Sequence, residues 1–471
     1  MHNSPLALLA IYLWFPLVIF FLLSFPVRTA IIISYIYGVL FLPKSIGLKI
    51  PLLAFYGDDN ATSYALLIGI IILSLTKTID SKELKEFKFK SIDIPIVMTC
   101  LSPIFASFAN GLGLHMAIKE FFIQSFIFGI PYFLGRIYIN NLAGLKELCI
   151  NIIRGALLYV PLCLYEIKFS PILHQRIYGY FAHSSGTLQA YRMGGWRPQV
   201  FMIHGLVVAL WMVSAVILIL WLWQSKTIKK IWNVEIKYLV GILLFTFVML
   251  KSTGVIFYLI YVIIIFLFAR YLKSNFAAWF LVCFLILFLA GRATLILPEP
   301  LVHSVVSGFV ASDRDQSFDF RLVNEDQLTA KALQRPIFGW GGYGRNRIFK
   351  EDDFGDIRDD SVTDSTWIIQ FGTNGFLGLI SLYATFFIPI ILFLRRYRTW
   401  EWLNPNLAPM ASLSIVLLIF IWDTIYNAGL IAIFPLICGS LTGVLARKPI
   451  VRIAKKPVNN KNMIKNKRLI R

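Results

Sequence analysis

The sequence predicts an all-α polytopic membrane protein of about 12–13 transmembrane helices, with a large external loop containing short amphipathic helices. Three observations predict it. Hydrophobic residues fill 58% of the 471 positions and charged residues only 15%, with a mean hydropathy of +0.72, which is more apolar surface than a soluble fold can hide. The apolar residues gather into runs of roughly 18–22, close to the ~20 that carry a helix across the hydrocarbon core. An outer-membrane barrel would show short alternating strands instead. Basic residues collect between the runs and at the C-terminus, as in cytoplasmic loops facing anionic lipid. The net charge of +20 therefore belongs to membrane topology and not to a nucleic-acid surface.

In order, the apolar runs are Pro5–Leu23, Arg28–Leu42, Thr62–Leu75, Ile92–Gly113, Met116–Leu134, Ile150–Tyr165, Val200–Leu222, Tyr238–Leu250, Val255–Phe268, Phe276–Leu295, Trp367–Leu394, Leu407–Ile421 and Gly429–Val444. Met1-His2-Asn3-Ser4 lacks the basic start of a secretory signal, so the first run reads as a retained span. The connections around Lys77–Lys90, Lys226–Lys237, Arg270–Lys273 and Arg395–Arg398 are basic and face the cytoplasm by the positive-inside rule. That counting puts two polar islands, Glu166–Gln199 and Leu297–Thr366, on the external side, and an N-terminus outside. The larger island has 13 acidic and 8 basic residues, the sign of an external loop.

The expected organisation is a transmembrane bundle over 1–296 with an external loop at 166–199, a large external loop over 297–366, further transmembrane helices over 367–446, and a basic cytoplasmic tail from 447 to 471. The five cysteines (Cys100, Cys149, Cys163, Cys283, Cys438) lie in or beside spans, so neither a disulfide framework nor a metal cluster is expected.

The smaller island ends in Tyr191-Arg192-Met193-Gly194-Gly195-Trp196-Arg197-Pro198. Arg197 stands at the external mouth of a span, where topology does not call for a cation. It reads either as a snorkelling interfacial anchor or as a clamp whose guanidinium fork matches phosphate oxygens. His204 falls about two turns inside the same span and reads as a ligand contact or a hydrogen-bonded interior histidine.

The larger island carries Arg321 and Glu325, four residues apart on a stretch whose Phe318, Leu322, Leu328 and Leu333 make one apolar face; a surface ion pair between them is the plain expectation. Arg335-Pro336 ends that helix. The turn Phe338-Gly339-Trp340-Gly341-Gly342-Tyr343-Gly344-Arg345 follows, and its successive amides are candidates for an anion-binding nest beside Arg345 and Arg347. The run Glu351–Asp356 lacks calcium-loop spacing and reads as a solvated acidic loop. Asp364, the last acid before the next span, reads as a helix N-cap or as a general base.

These residues, in this order, resemble the O-antigen ligase and O-antigen polymerase superfamily of bacterial envelope glycan enzymes. That family has a dozen or so spans, a large late external loop, an Arg-containing patch before a middle span, an Arg-bearing loop helix, a Pro-x-x-Gly-x-Gly-like turn, a His-Asn pair and a Gly-x-x-Gly in the next span. Arg197 matches the patch and Arg321 the loop helix. Pro336-Ile337-Phe338-Gly339-Trp340-Gly341 matches the turn, and Gly375-Phe376-Leu377-Gly378 the last element. Counting back from Gly375, the family's histidine falls on Asp364 and its asparagine on Ser365, a departure from the pattern.

The resemblance implies metal-independent, inverting glycosyl transfer from a polyprenyl-pyrophosphate-linked glycan to a glycan, lipid or protein hydroxyl, at the inner membrane and without a cofactor. Arg197 and Arg321 would neutralise the leaving pyrophosphate, help worth roughly 3–4 kcal/mol per well-placed donor. Asp364 would take the proton. Arg192, His204, Arg335, Trp340, Arg345 and Glu325 are the expected substrate contacts. The rival is a lipid-linked oligosaccharide flippase or polysaccharide exporter, which predicts mid-span charges and an inverted repeat that the sequence does not display.

Overall fold

A computed structural model describes residues 4–447 except 49–55, 59, 81, 184–189, 193, 307–311, 343, 352–355, 360 and 430. It is built almost wholly of helices. The first half contains α1 (Pro5–Ser24), α2 (Val27–Phe41), α3 (Ala61–Leu75), α4 (Lys82–Glu86), α5 (Ile94–Ala109), α6 (Gly113–Gln124), α7 (Ile130–Tyr138), α8 (Leu142–Phe169), α9 (Leu173–Tyr178) and α10 (Gly205–Gln224). The second contains α11 (Ile236–Met249), α12 (Thr253–Leu267), α13 (Phe276–Ala293), α14 (Glu299–Val306), α15 (Ser312–Leu333), α16 (Thr366–Arg396), α17 (Ala408–Tyr426) and α18 (Ile433–Leu445). Sheet is confined to short two-stranded hairpins among the described residues.

Among the described residues, nine helices are long and apolar enough to cross a membrane: α1, α5, the pair α6–α7 joined through a π-helical turn, α8, α10, α12, α13, α16 and α17. Four shorter apolar helices, α2, α3, α11 and α18, fill the remaining predicted runs. The chain is an all-α polytopic membrane protein. Its periphery shows why: Leu6, Leu9 and Phe20 of α1, Phe257 and Ile260 of α12, and Phe280 and Leu287 of α13 are exposed, a surface that only hydrocarbon matches. The interior staves are α10 and α17, almost entirely enclosed by their neighbours. Where α7 crosses α18, a Cβ at Gly439 would stand 1.9 Å from the Tyr132 carbonyl oxygen, so small residues set that close crossing.

Hydrogen bonds between helix ends sort the bundle into two faces. At one, Lys90 Nζ donates to the Ala446 carbonyl at 2.5 Å, Arg396 to the Leu445 carbonyl at 2.6 Å, and Arg270 to Gln224 at 3.0 Å. At the other, Asn110 donates to the Gly339 carbonyl at 2.8 Å and the Thr366 hydroxyl to the Asn427 carbonyl at 3.1 Å. Both polar islands lie at this second end.

Several elements depart from the sequence expectation; α8 spans Leu142–Phe169 where the apolar run was Ile150–Tyr165. Helix α10 starts at Gly205, not Val200, so His204 is its N-cap and not two turns inside. Helix α16 is broken at Gly375 (φ 63°, ψ −164°). The basic tail from 448 onward and residues Asp352–Gly355 of the acidic loop lie outside the described residues.

Candidate functional site

The smaller island is shaped by one buried carboxylate. Glu166, near the end of α8, accepts the amides of Leu173 at 2.9 Å, Gln199 at 2.8 Å and Val200 at 2.7 Å. The Tyr159 hydroxyl accepts the Phe201 amide at 3.2 Å. Val200 takes φ +53°, a costly region for a β-branched residue, and these bonds hold it there. The extension before α10 is therefore imposed from α8.

Upstream, Tyr191–Arg192 pairs antiparallel with Gly195–Trp196, and the Tyr191 and Trp196 rings meet edge-on at 5.1 Å. Arg192 is exposed and Arg197 half-buried. The Arg197 chain lies across the start of α10, where a Cβ on Gly205 would fall 2.5 Å from its Cδ. Lys251, from the α11–α12 turn, crosses the hairpin so closely that a Cβ on Gly195 would fall 2.0 Å from its Nζ.

The larger island hangs on Arg292, at the end of α13 and wholly buried. Its guanidinium donates to Asp326 at 2.6 Å, to Glu325 at 3.1 Å, and to the carbonyls of Leu297 at 2.9 Å and Leu322 at 3.2 Å. Glu325 also accepts the Ser365 hydroxyl at 2.8 Å, and Asn324 accepts the Val362 amide at 3.1 Å. Burial pushes the Glu325 carboxyl above its ordinary value, against the pull of Arg292 and Ser365. Glu325 thus faces the protein interior, and the expected pairing with Arg321 does not form.

Arg321, one turn earlier on α15, pairs instead with Asp364, Nε to Oδ2 at 3.1 Å, with both side chains half-exposed. Ser365 is the N-cap residue of α16, so Asp364 stands just outside the helix. Arg321–Asp364 and Glu325–Ser365 form two rungs that register α15 against the start of α16.

The glycine turn docks into the break in α16. The amides of Trp340 and Gly341 donate to the carbonyls of Gly372 and Thr373, both at 2.9 Å. In return the amides of Phe376 and Leu377 donate to Pro336 at 2.7 Å and Ile337 at 3.2 Å. A Cβ on Gly339 would stand 2.6 Å from the Gly375 nitrogen, and one on Gly375 would stand 2.4 Å from the Ile337 oxygen. The Gly339 amide binds the Arg335 carbonyl and the Gly344 amide binds Asn346. These amides are already engaged, so the anion-nest reading of the turn is corrected: it is a lock for the kink. Arg335 lies over the Trp340 ring at 4.7 Å and donates to Asn110, while Trp340 Nε1 donates to the Lys331 carbonyl at 2.9 Å. Arg345 is exposed and donates to the Trp340 carbonyl at 3.2 Å.

The predicted residues therefore fall into groups. Arg192, Arg197 and Arg321 converge electrostatically on His204: burial first, then Arg197, His183, Arg321 and Arg192, hold its imidazole down at about 4. Asp364 joins this group through Arg321. Arg335, Trp340 and Arg345 form a second patch at the same end, around the turn. Glu325 supports the first group from inside. Sequence reasoning gave no role to His183, Glu166, Lys251 or Arg292. The signal that could have found the last three is an ionisable residue at the edge of an apolar run.

The group offers several guanidiniums from separate segments, one carboxylate and one neutral imidazole, a setting suited to an anionic ligand beside a proton acceptor. Among curated proteins nothing matches the chain. Residues 238–383 match the family described as O-antigen ligase, a stretch that carries Arg321, Glu325, Arg335, Trp340, Arg345 and Asp364 and leaves Arg192, Arg197 and His204 outside. With the polytopic helical fold, that match makes this part of the chain similar to the O-antigen ligase family.

Proposed function

We propose that the protein transfers a glycan from a polyprenyl-pyrophosphate carrier to an acceptor hydroxyl, with inversion and without a metal, at the external face of a bacterial inner membrane. The observation that carries the reading is the Arg321–Asp364 pair, at the same end of the bundle as Arg192 and Arg197. The acceptor oxygen attacks the anomeric carbon as the bond from that carbon to the pyrophosphate oxygen breaks. The bonding electron pair leaves with the pyrophosphate, and the acceptor proton passes to Asp364. Arg197 and Arg321 stabilise the growing charge, with Arg192 beside them; Arg335 and Arg345 contact phosphate or glycan farther out. The positive-inside rule puts the basic end in the cytoplasm and this site outside.

The test is an Arg321→Ala strain. Accumulated lipid-linked units with loss of finished polymer is the expected result, and normal polymer would count against the reading. Mass analysis of glycan from a deletion strain separates the two reactions: lone capped repeats mean polymerisation, free lipid-linked polymer means ligation.

A further inference from the structure

His204 has the most constrained chemistry at the island end. As N-cap of α10 it has extended backbone (φ −151°, ψ 151°), and its Nδ1 accepts the Leu206 amide at 3.1 Å. An amide offers only a proton, so Nδ1 must carry a lone pair. The one proton of the neutral ring is then on Nε2. A second proton on Nδ1 would face the Leu206 N–H and forfeit the cap.

The surroundings also oppose a cationic ring. The positive end of the α10 dipole lies beneath it. The titratable and charged groups acting on it come from three parts of the chain: Arg192 and Arg197 around the hairpin, His183 with its ring edge-on at 5.6 Å, and Arg321 from α15. Cations gathered this way invite an anion and repel a further charge.

We propose that His204 is a neutral hydrogen-bond donor, through Nε2–H, to a phosphate oxygen of the lipid-linked substrate, and takes no part in proton transfer. The identity of the anion rests on the glycosyl-transfer reading; the tautomer rests on the cap alone. The arrangement adds a directional donor to a crowded cationic site without adding to its repulsion when empty.

Asparagine and glutamine separate capping from donation. Asn is a strong N-cap but too short to reach the Nε2 position; Gln reaches it and caps poorly. In transfer assays with purified protein, His204→Gln is expected to keep kcat/KM within about tenfold of wild type, and His204→Asn to lose about 100-fold, the scale of one lost donor to a developing oxyanion. The opposite order assigns His204 to capping alone and overturns the proposal, as do two variants at the wild-type rate.

A readout independent of activity is the nitrogen spectrum of histidine-labelled protein, with His204 identified among the 6 histidines by its loss in His204→Gln. The expected pattern at pH 7 is a protonated Nε2 and a bare Nδ1, unchanged down to pH 5, with the Nε2–H signal shifting when inorganic pyrophosphate is added. A ring that titrates near its ordinary value, carries its proton on Nδ1, or ignores pyrophosphate overturns the proposal. A silent Arg321→Ala strain would defeat the transfer reading while leaving the tautomer in place, so the two failures are distinct.

Discussion

The Nε of Arg321 stands 3.1 Å from Oδ2 of Asp364, and the two side chains keep 41% and 37% of their surface open. An ion pair so exposed is worth less than about 1 kcal/mol. A multiply charged phosphate can compete for that guanidinium with stronger, charge-assisted bonds. On the proposed reading, an anion that draws Arg321 away frees Asp364, which would couple binding of the leaving group to release of the proton acceptor.

Removing the carboxylate should therefore stop the chemistry and spare the fold. Asp364→Ala and Asp364→Asn are expected to lower the transfer rate by about 100-fold or more, as for a lost general base. Asp364→His should retain more activity than Asp364→Ala, because histidine is the residue the family resemblance puts there. Rates of polymer formation at matched protein levels check this; an Asp364→Ala enzyme at full rate would remove Asp364 from the reaction.

Arg292 is predicted to matter for stability first. Its guanidinium is fully enclosed and faces Glu325 and Asp326, so Arg292→Met leaves two carboxylates without their counter-ion. Breaking a buried pair from one side costs about 3–5 kcal/mol. The expected outcome is a much lower thermal midpoint in detergent, with Arg292→Lys intermediate because an ammonium cannot reproduce the fork. An Arg292→Met protein as stable as wild type would show that α15 is held by other contacts.

Apolar run length was enough to find the helices, because a spanning segment announces itself locally. Helix ends were less legible. Val200–Phe201 reads as the start of a span, yet Glu166, 34 residues from Val200, pulls that backbone out of helix. Arg321 and Glu325 look like partners at helical spacing, and the competing pull on Glu325 comes from Arg292, 33 residues away. The glycines near 340 announced positive φ but not where their amides would go, since the acceptors are carbonyls freed by a break in another helix. Arg197, Arg321 and Asp364 were identified through their order in the chain. Their convergence on one end depended on topology, which the basic connections encoded.

The lock between the turn and the α16 break gives a third prediction. Gly375 and Gly339 both take positive φ, a region costing other residues about 1–2 kcal/mol before any clash is counted, and their added Cβ atoms would meet backbone, which cannot swing away. Gly375→Ala and Gly339→Ala should lower both stability and transfer. Gly254→Ala, where a Cβ meets nothing within 4 Å and φ is ordinary, serves as the control. Thermal midpoints of the three purified variants check it, and equal midpoints would mean that the turn and the break are not mechanically joined.

The last prediction concerns pH. His204 is held at about 4 in the folded protein, against 6.5 for the free side chain. Between those values the unfolded chain holds a proton that the native ring refuses, so unfolding takes up a proton and stability falls with falling pH. The effect is absent above about 6.5, develops below it, and reaches about 3 kcal/mol near pH 4. Down to pH 5 it amounts to about 2 kcal/mol. His204→Asn keeps an N-cap and removes the titration, so its thermal midpoint should fall less than wild type between pH 7 and pH 5. His183 faces the same ring, so both proteins are compared in a His183→Asn background. Identical pH dependence with and without His204 would mean that its ring accepts a proton as readily in the fold as outside it.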